Sequence, residues 1–257
     1  MAGSGSDVIA ITGNRVAGAS TANKIGLEGI LATVGGVGQG NFNISGNGTM
    51  ANPIANVTGT AISVNALGPA TVTATVSNNV MAPNNIFAAN GVGAGVNNIF
   101  GITDAPSLSI TISNNVISAV DGNGILAVAR NSNGTLLAKI LDNQVAAPLT
   151  GVRPGIRVDS GTSSGNTTVC LNMSGNTSAG SGGTQGLGIR KQGTVSTTNT
   201  FGLHSLSGGT TTPFVCPGTA VPAGTPAVEN FINCLNPAGN GTLLISGTSG
   251  FTSCSLP

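Results

Sequence analysis

Aliphatic and small polar residues alternate along most of this chain, and the alternation breaks at clusters of Gly, Asn and Pro. The clearest runs are Thr71-Val-Thr-Ala-Thr-Val76, Leu108-Ser-Ile-Thr-Ile112, Leu136-Leu-Ala-Lys-Ile140 and Val169-Cys-Leu-Asn-Met173. A period of two over this length marks a strand with one buried face. The pattern points Val72, Ala74 and Val76 inward and Thr71, Thr73 and Thr75 outward. It likewise buries Leu108, Ile110 and Ile112 and exposes Ser107, Ser109 and Thr111. A second set of strands, mostly opening with Gly, is expected at 29–34, 60–64, 124–128, 155–158 and 188–191. No segment shows a helical period of useful length, so the chain is expected to be all-β.

One phrase recurs at the end of these runs. It reads Ile11-Thr-Gly-Asn14, Ile44-Ser-Gly-Asn47, Val76-Ser-Asn-Asn79, Ile112-Ser-Asn-Asn115, Ile140-Leu-Asp-Asn143 and Met173-Ser-Gly-Asn176. The asparagines are 33, 32, 36, 28 and 33 residues apart. An internal repeat of this length is the mark of a solenoid, since one coil cannot bury its apolar face alone. The expected fold is a right-handed parallel β-helix of about seven or eight coils, roughly 35 Å long at the strand spacing of about 4.8 Å. Asn14, Asn47, Asn79, Asn115, Asn143 and Asn176 should stack at one corner, where Asn tolerates the left-handed backbone. Their side-chain amides can then bond from coil to coil as an internal ladder.

After Asn176 the regularity fades. A Pro- and Cys-bearing insertion at 213–237 precedes a last strand at 242–246. Residues 201–257 therefore read as the final coils and a cap, within the same domain as the coils at 7–200. Terminal repeats are atypical because they close the core. Residues 1–6 look like an expression scar or linker. The first coil starts at Val8 without a cap, which suggests a fragment or a coil packed on a partner. All four cysteines, Cys170, Cys216, Cys234 and Cys254, lie in the last third. Their spacing fits no zinc or redox motif, and four cysteines allow three pairings. Cys170–Cys216 with Cys234–Cys254 is the favoured pairing, with four reduced thiols as the alternative. Disulfides would place the chain outside the cytoplasm.

Composition narrows the function more than it identifies it. Only 6% of residues are charged and the net charge is +1, with no basic stripe. Nucleic acid is therefore not an expected partner. No apolar run is long enough to span a membrane.

The Asn-ended strands, the Gly-opened strands and the coil length resemble right-handed parallel β-helices of the pectin-lyase-like class. More narrowly, the chain is similar to strand-repeat regions of secreted bacterial surface proteins and adhesins. That resemblance covers about residues 8–250. It implies the fold and a secreted or cell-surface location. It leaves the activity open, because the class holds lyases, hydrolases, adhesins and passive stalks, and fold does not transfer function.

The seven acidic residues are scattered: no two share a strand and none forms a column at the repeat period. A carboxylate pair for hydrolysis or an oxygen cage for calcium is not visible. No metal and no cofactor are expected. The densest polar group is basic. Arg157 and Arg190 follow Gly-Ile one coil apart and should share an outward column, with Asp159 and Gln192 beside them and Arg130, Arg153 and Lys191 nearby. These could bind an acidic sugar through bidentate arginines or form a surface ion pair. His204 is the only histidine and has no recognisable triad around it. The outward Thr71, Thr73 and Thr75 suggest an ice-binding array. It does not persist at Asn41, Asn43, Leu137, Lys139, Cys170 and Asn172. The expected function is thus a non-catalytic extracellular structural or adhesive module, a stalk or filament subunit. Its partners would be copies of itself, end to end, or a surface glycan. A polysaccharide lyase or hydrolase, or an acidic-glycan-binding module, is the alternative; ice binding is the third.

Overall fold

Strands form where the alternation places them, and each stacks on its counterpart in the next coil. The computed structural model describes residues 7–97, 103–161, 165–191, 199–206, 227–237, 242–246 and 251–257. In chain order the first strands are β1 (Ile9–Thr12), β2 (Ile30–Val34), β3 (Gln39–Ser45), β4 (Ile54–Ala55), β5 (Ile62–Leu67), β6 (Thr71–Ser77) and β7 (Val80–Ala82). They are followed by β8 (Val92–Asn97), β9 (Ser107–Ser113), β10 (Val116–Ile117), β11 (Ile125–Ala129), β12 (Thr135–Leu141), β13 (Gln144–Val145) and β14 (Ile156–Ser160). Then come β15 (Thr168–Ser174), β16 (Thr177–Ser178), β17 (Leu187–Lys191) and β18 (Thr200–His204). The end of the chain adds α1 (Ala227–Leu235), β19 (Thr242–Ser246) and β20 (Phe251–Cys254).

Three parallel sheets make the sides of a β-solenoid. Sheet I runs β1-β3-β6-β9-β12-β15-β18-β20 and carries the strands of the repeated phrase. The very short strands β4, β7, β10, β13 and β16 form sheet II. Sheet III runs β2-β5-β8-β11-β14-β17-β19. Inward residues stack in columns such as Val72–Leu108–Leu136–Val169–Phe201–Phe251 and Ile62–Val92–Ile125–Ile156–Leu187. All of these side chains are buried, so one apolar core runs along the rod. Thr71 and Thr73 point outward and are exposed, as the period of two requires.

The ladder is present, and its chemistry is more specific than stacking. Asn47 gives its backbone N–H and a side-chain N–H to Asn79 Oδ1, both at 2.9 Å. Asn79 does the same to Asn115, Asn115 to Asn143, and Asn143 to Asn176. The second side-chain N–H of each turns back to a strand carbonyl: Ile11 for Asn47, Ile44 for Asn79, Val76 for Asn115 and Ile112 for Asn143. These asparagines are fully buried, and every polar atom of the column is used. A buried amide without partners would be costly.

Two expectations about this corner are corrected. The left-handed residue is not the ladder Asn but the one before it: Gly13, Gly46, Asn78, Asn114, Asp142 and Gly175 have φ between 54° and 69°. Gly, Asn and Asp are the residues that adopt this conformation most cheaply, which explains the third position of the phrase. The ladder also does not stop at Asn176. Its Oδ1 acceptor is Asn236, 60 residues on, at 2.9 Å.

Asn236 arrives at the end of α1, an element the alternation did not predict. Val228, Phe231 and Ile232 are buried and Leu235 packs against the same core. Their spacing is one helical face. Glu229 lies in the first turn, where it complements the helix dipole. The helix lies against β15 and β19, and Leu235 O accepts the Gly175 N–H at 2.7 Å.

The expected Cys170–Cys216 pairing is also replaced. Cys170 of β15 bonds Cys254 at the end of β20, with Cα atoms 5.9 Å apart. In register Cys170 faces Gly202 of β18, and Gly202 faces Thr252 of β20. The disulfide thus crosses above Gly202 and joins two strands that are not neighbours. The chain beyond Cys254 continues over the outer face of sheet I, where Lys139 Nζ of β12 donates to the main-chain oxygen of Pro257. Cys234 is disulfide-bonded as well. Cys216, Gln192 and residues 1–6 lie outside the described residues.

Candidate functional site

Sheet III holds the charged residues that the sequence singled out, but in a different register. Ile156 pairs with Leu187, so Asp159 faces Arg190 and Arg157 faces Gly188. Gly186, not Gly188, opens β17: its carbonyl accepts the Ile156 N–H just as Gly155 accepts that of Ile125. Arg157 and Arg190 therefore occupy neighbouring columns rather than one shared column. The two arginines converge on one acid. Arg157 Nε donates to Asp159 Oδ1 at 2.9 Å and Arg190 Nη2 to Oδ2 at 2.6 Å. Asp159 is only 2% exposed, so its carboxylate is fully engaged as a clamp between β14 and β17. Lys191 lies beside this pair in register with Ser160, and Arg153 lies apart, at the corner before β14.

Two coils away, the outer face of sheet III is cut by a notch. One outward column contains Ser63, Gly93, Leu126 and Arg157, and the next contains Asn65, Gly95, Val128 and Asp159. Gly93 and Gly95 leave two successive outward places of β8 without side chains, and a cavity of about 280 Å³ opens over them. Ser63, Asn65 and Thr60 line one wall; Leu126 and Val128 line the other; Arg130 also lines it. The backbone does not demand these glycines. A Cβ at Gly93 would meet nothing closer than the Thr60 methyl at 3.4 Å, and one at Gly95 nothing closer than Asn65 Oδ1 at 3.3 Å, the end of a side chain. Glycine inside a strand costs about 0.5–1 kcal/mol and often marks a close approach by another molecule. Among the described residues, no acceptor pairs with the Arg130 guanidinium. The notch thus offers hydroxyl and amide groups on one side, an apolar wall on the other and one unneutralised cation.

The corner leading into β8 is held by Asp121. Thr150 Oγ1 donates to Asp121 Oδ1 at 2.6 Å, and the Ala88 N–H donates to Oδ2 at 2.7 Å. The Thr150 hydroxyl first and the Ala88 amide second hold this carboxyl below its ordinary value, with Arg153 and Lys24 adding attraction. Phe87 and Ala88 are both left-handed, at φ 59° and 58°, and Phe87 is 87% exposed. A depressed carboxyl stabilises the fold above its unfolded pKa and loses that contribution as pH falls through the folded value. The protection of the Ala88 amide, relative to an unstructured chain at the same pH, is therefore expected to fall as pH drops below the range of an ordinary Asp. Thr150→Val should move the onset to higher pH, which a carboxyl NMR titration would follow.

His204 sits on β18 opposite Cys254, its Nδ1 buried and without a hydrogen-bond partner among the described residues. Among the described residues no group of three His, Cys, Asp or Glu side chains converges as metal ligands would. The threonine array is interrupted as its sequence positions indicated: Thr73 is in one column with Asn41, Ser109, Leu137 and Cys170. No family model, no curated protein and no solved structure matches the chain. The site rests on its own geometry.

The notch was the feature the sequence hid. Its signal was available in Val92-Gly-Ala-Gly-Val96, where Gly takes both outward places of the alternating run.

Proposed function

We propose that this chain is a non-catalytic, secreted or bacterial-surface β-helix of structural and adhesive use, which holds an acidic glycan at the sheet III notch. Its Asn-ended and Gly-opened strands resemble the pectin-lyase-like class and the strand repeats of surface adhesins. The observation that carries the binding half of the proposal is the pair of outward glycines on β8 beside Arg130, whose guanidinium has no acceptor among the described residues. A sugar ring has an apolar face and a hydroxylated edge, which suits the two unlike walls. Its carboxylate or sulfate would meet the guanidinium, a strong charge-assisted contact. The disulfide-bonded cysteines fit an oxidising compartment.

The acids support a passive role. A general acid or base needs a pKa brought toward the working pH. Asp159 is clamped by two arginines and Asp121 is held low by two hydrogen bonds. Asp121, held low, is not poised to exchange protons near neutrality.

Affinity electrophoresis in acidic and neutral polysaccharides tests the proposal. The chain should be retarded by an acidic glycan. Arg130→Ala and Gly93→Val should each weaken retention roughly 10-fold or more. Melting temperatures should stay within a few degrees, because the Arg130 guanidinium has no acceptor among the described residues and Gly93 has room for a side chain. Retention that both variants keep would remove the notch from the account.

A further inference from the structure

The turn that leads into β8 has a sequence its backbone does not favour. The Ala89 N–H bonds the Ile86 carbonyl at 3.3 Å, and the two residues between them, Phe87 and Ala88, have φ of 59° and 58°. A turn with both central residues left-handed is ordinarily filled by Gly, Asn or Asp. Among the described residues every other non-Gly left-handed position is held by Asn, Asp, Ala or Ser. Phe87 is the one bulky side chain of that set, in a conformation where Cβ crowds the following carbonyl. No packing in the core offsets this, because Phe87 is 87% exposed.

Both neighbouring coils impose the turn. The Ile86 N–H bonds the Thr58 carbonyl of the coil before. From the coil after, Asp121 Oδ2 accepts the Ala88 N–H and the Gly122 N–H bonds the Ala89 carbonyl, both at 2.7 Å. A Cβ at Gly122 would lie 2.2 Å from the Ala88 carbonyl oxygen, so only Gly allows this approach. The buried Asn85 then ties the turn to the notch. Its Oδ1 accepts the Asp121 N–H at 2.7 Å, and its Nδ2 donates to the Asn90 carbonyl at 3.0 Å. Asn90 lines the notch. Three residues, spanning at most about 11 Å, separate it from Phe87. A strained residue that its surroundings hold in place, with an apolar ring aimed at solvent, marks a site of use.

We propose that Phe87 is a second subsite of the notch, a platform on which a sugar ring of the same acidic glycan stacks. This rests on the glycan reading of the notch. The C–H groups on one face of a pyranose carry partial positive charge and suit the negative face of a phenyl ring. The Arg130 N–H bonds the Val96 carbonyl. The cation therefore lies beside the far end of β8, and the phenyl ring lies before its start. The strand between them runs about 20 Å. The glycan would lie along β8, across the rod, over Gly93 and Gly95. One or two sugars are too short to reach both subsites, so the site selects long chains over short ones.

The test uses the whole chain with short and long oligomers of polygalacturonate, alginate and dextran sulfate. Phe87→Asn should melt no lower than the native chain, since Asn adopts the left-handed turn more cheaply. It should bind the long oligomers roughly 10-fold more weakly, the worth of one stacked ring, and the short ones unchanged. Arg130→Ala should weaken both. The chain has no Trp and no Tyr, so Phe87→Trp adds a lone indole. Its emission should shift saturably with the long oligomers and not with the short. Long oligomers that bind Phe87→Asn as tightly as the native chain, while Arg130→Ala loses them, would remove Phe87 and leave the notch. Undiminished binding by Arg130→Ala would remove the notch reading and this subsite with it, as would a lack of binding by every oligomer. Emission of the Trp variant that responds to protein concentration and not to glycan would also overturn the proposal, because the corner would then belong to a second copy.

Discussion

Asn115→Ala is expected to remove roughly 3–9 kcal/mol of stability, the sum of three buried polar groups left without partners at about 1–3 kcal/mol each. The backbone and side-chain N–H of Asn79 would lose their acceptor at 3.0 and 2.9 Å. The Val76 carbonyl would lose its donor at 2.9 Å. The ladder asparagines from Asn47 to Asn176 are all fully buried, so bulk water does not reach the groups left behind. Against a total folding stability of about 5–15 kcal/mol this is a large fraction. Urea unfolding followed by circular dichroism measures it. Asn14→Ala is the internal control. That residue is exposed and ends the column, so the expected loss is below about 1 kcal/mol. Equal losses at the two positions would mean that the ladder contributes by propensity at its corners and not by buried hydrogen bonding.

The second large effect concerns the disulfide over β18. Reducing it, or replacing Cys254 by Ser, should cost about 2–4 kcal/mol, the usual range for a bridge closing a long loop. The two cysteines are 84 residues apart. The loss should be local, because the bridge ties β15 to β20 and touches none of the earlier coils. Hydrogen exchange is expected to accelerate in β18 and β20 and to stay unchanged at Asn47 and Asn79. Gly202→Val should act like the cysteine variant. Its Cβ would lie 2.5 Å from Cys254 Cβ and 2.8 Å from Cys254 Sγ, so the valine and the bridge cannot both be accommodated. An intact bridge with native exchange in the valine variant would refute this placement.

The rod was legible because two signals, the period of two and the period of the asparagines, are local and repeat. Val72, Ala74, Leu108 and Ile110 face inward as their alternation indicates. The failures are all matters of register or long range. Gly186-Leu187-Gly188-Ile189-Arg190 offers two glycines, and only pairing with β14 shows that Gly186 leads into the strand. That slip of two residues turned a clamp on Asp159 into an apparent arginine column. Asn236 belongs to the ladder although no aliphatic-x-x-Asn strand precedes it, because a helix delivers it. Its helical face, Val228, Phe231, Ile232 and Leu235, was in the sequence but is short and follows a long irregular stretch. Cysteine pairing depends on which strands the cap brings together, and spacing alone carries no such information. The notch escaped notice because it consists of missing side chains.

One experiment reads both halves of the proposed role, holding an acidic glycan and leaving it uncut. The chain is incubated with a panel of acidic polysaccharides while bound glycan and newly formed chain ends are measured together. Retention without new ends, lost in Arg130→Ala and Gly93→Val, is the predicted result. Steady release of new ends that stops in Arg157→Ala would contradict it, making the arginine and Asp159 clamp part of an active site.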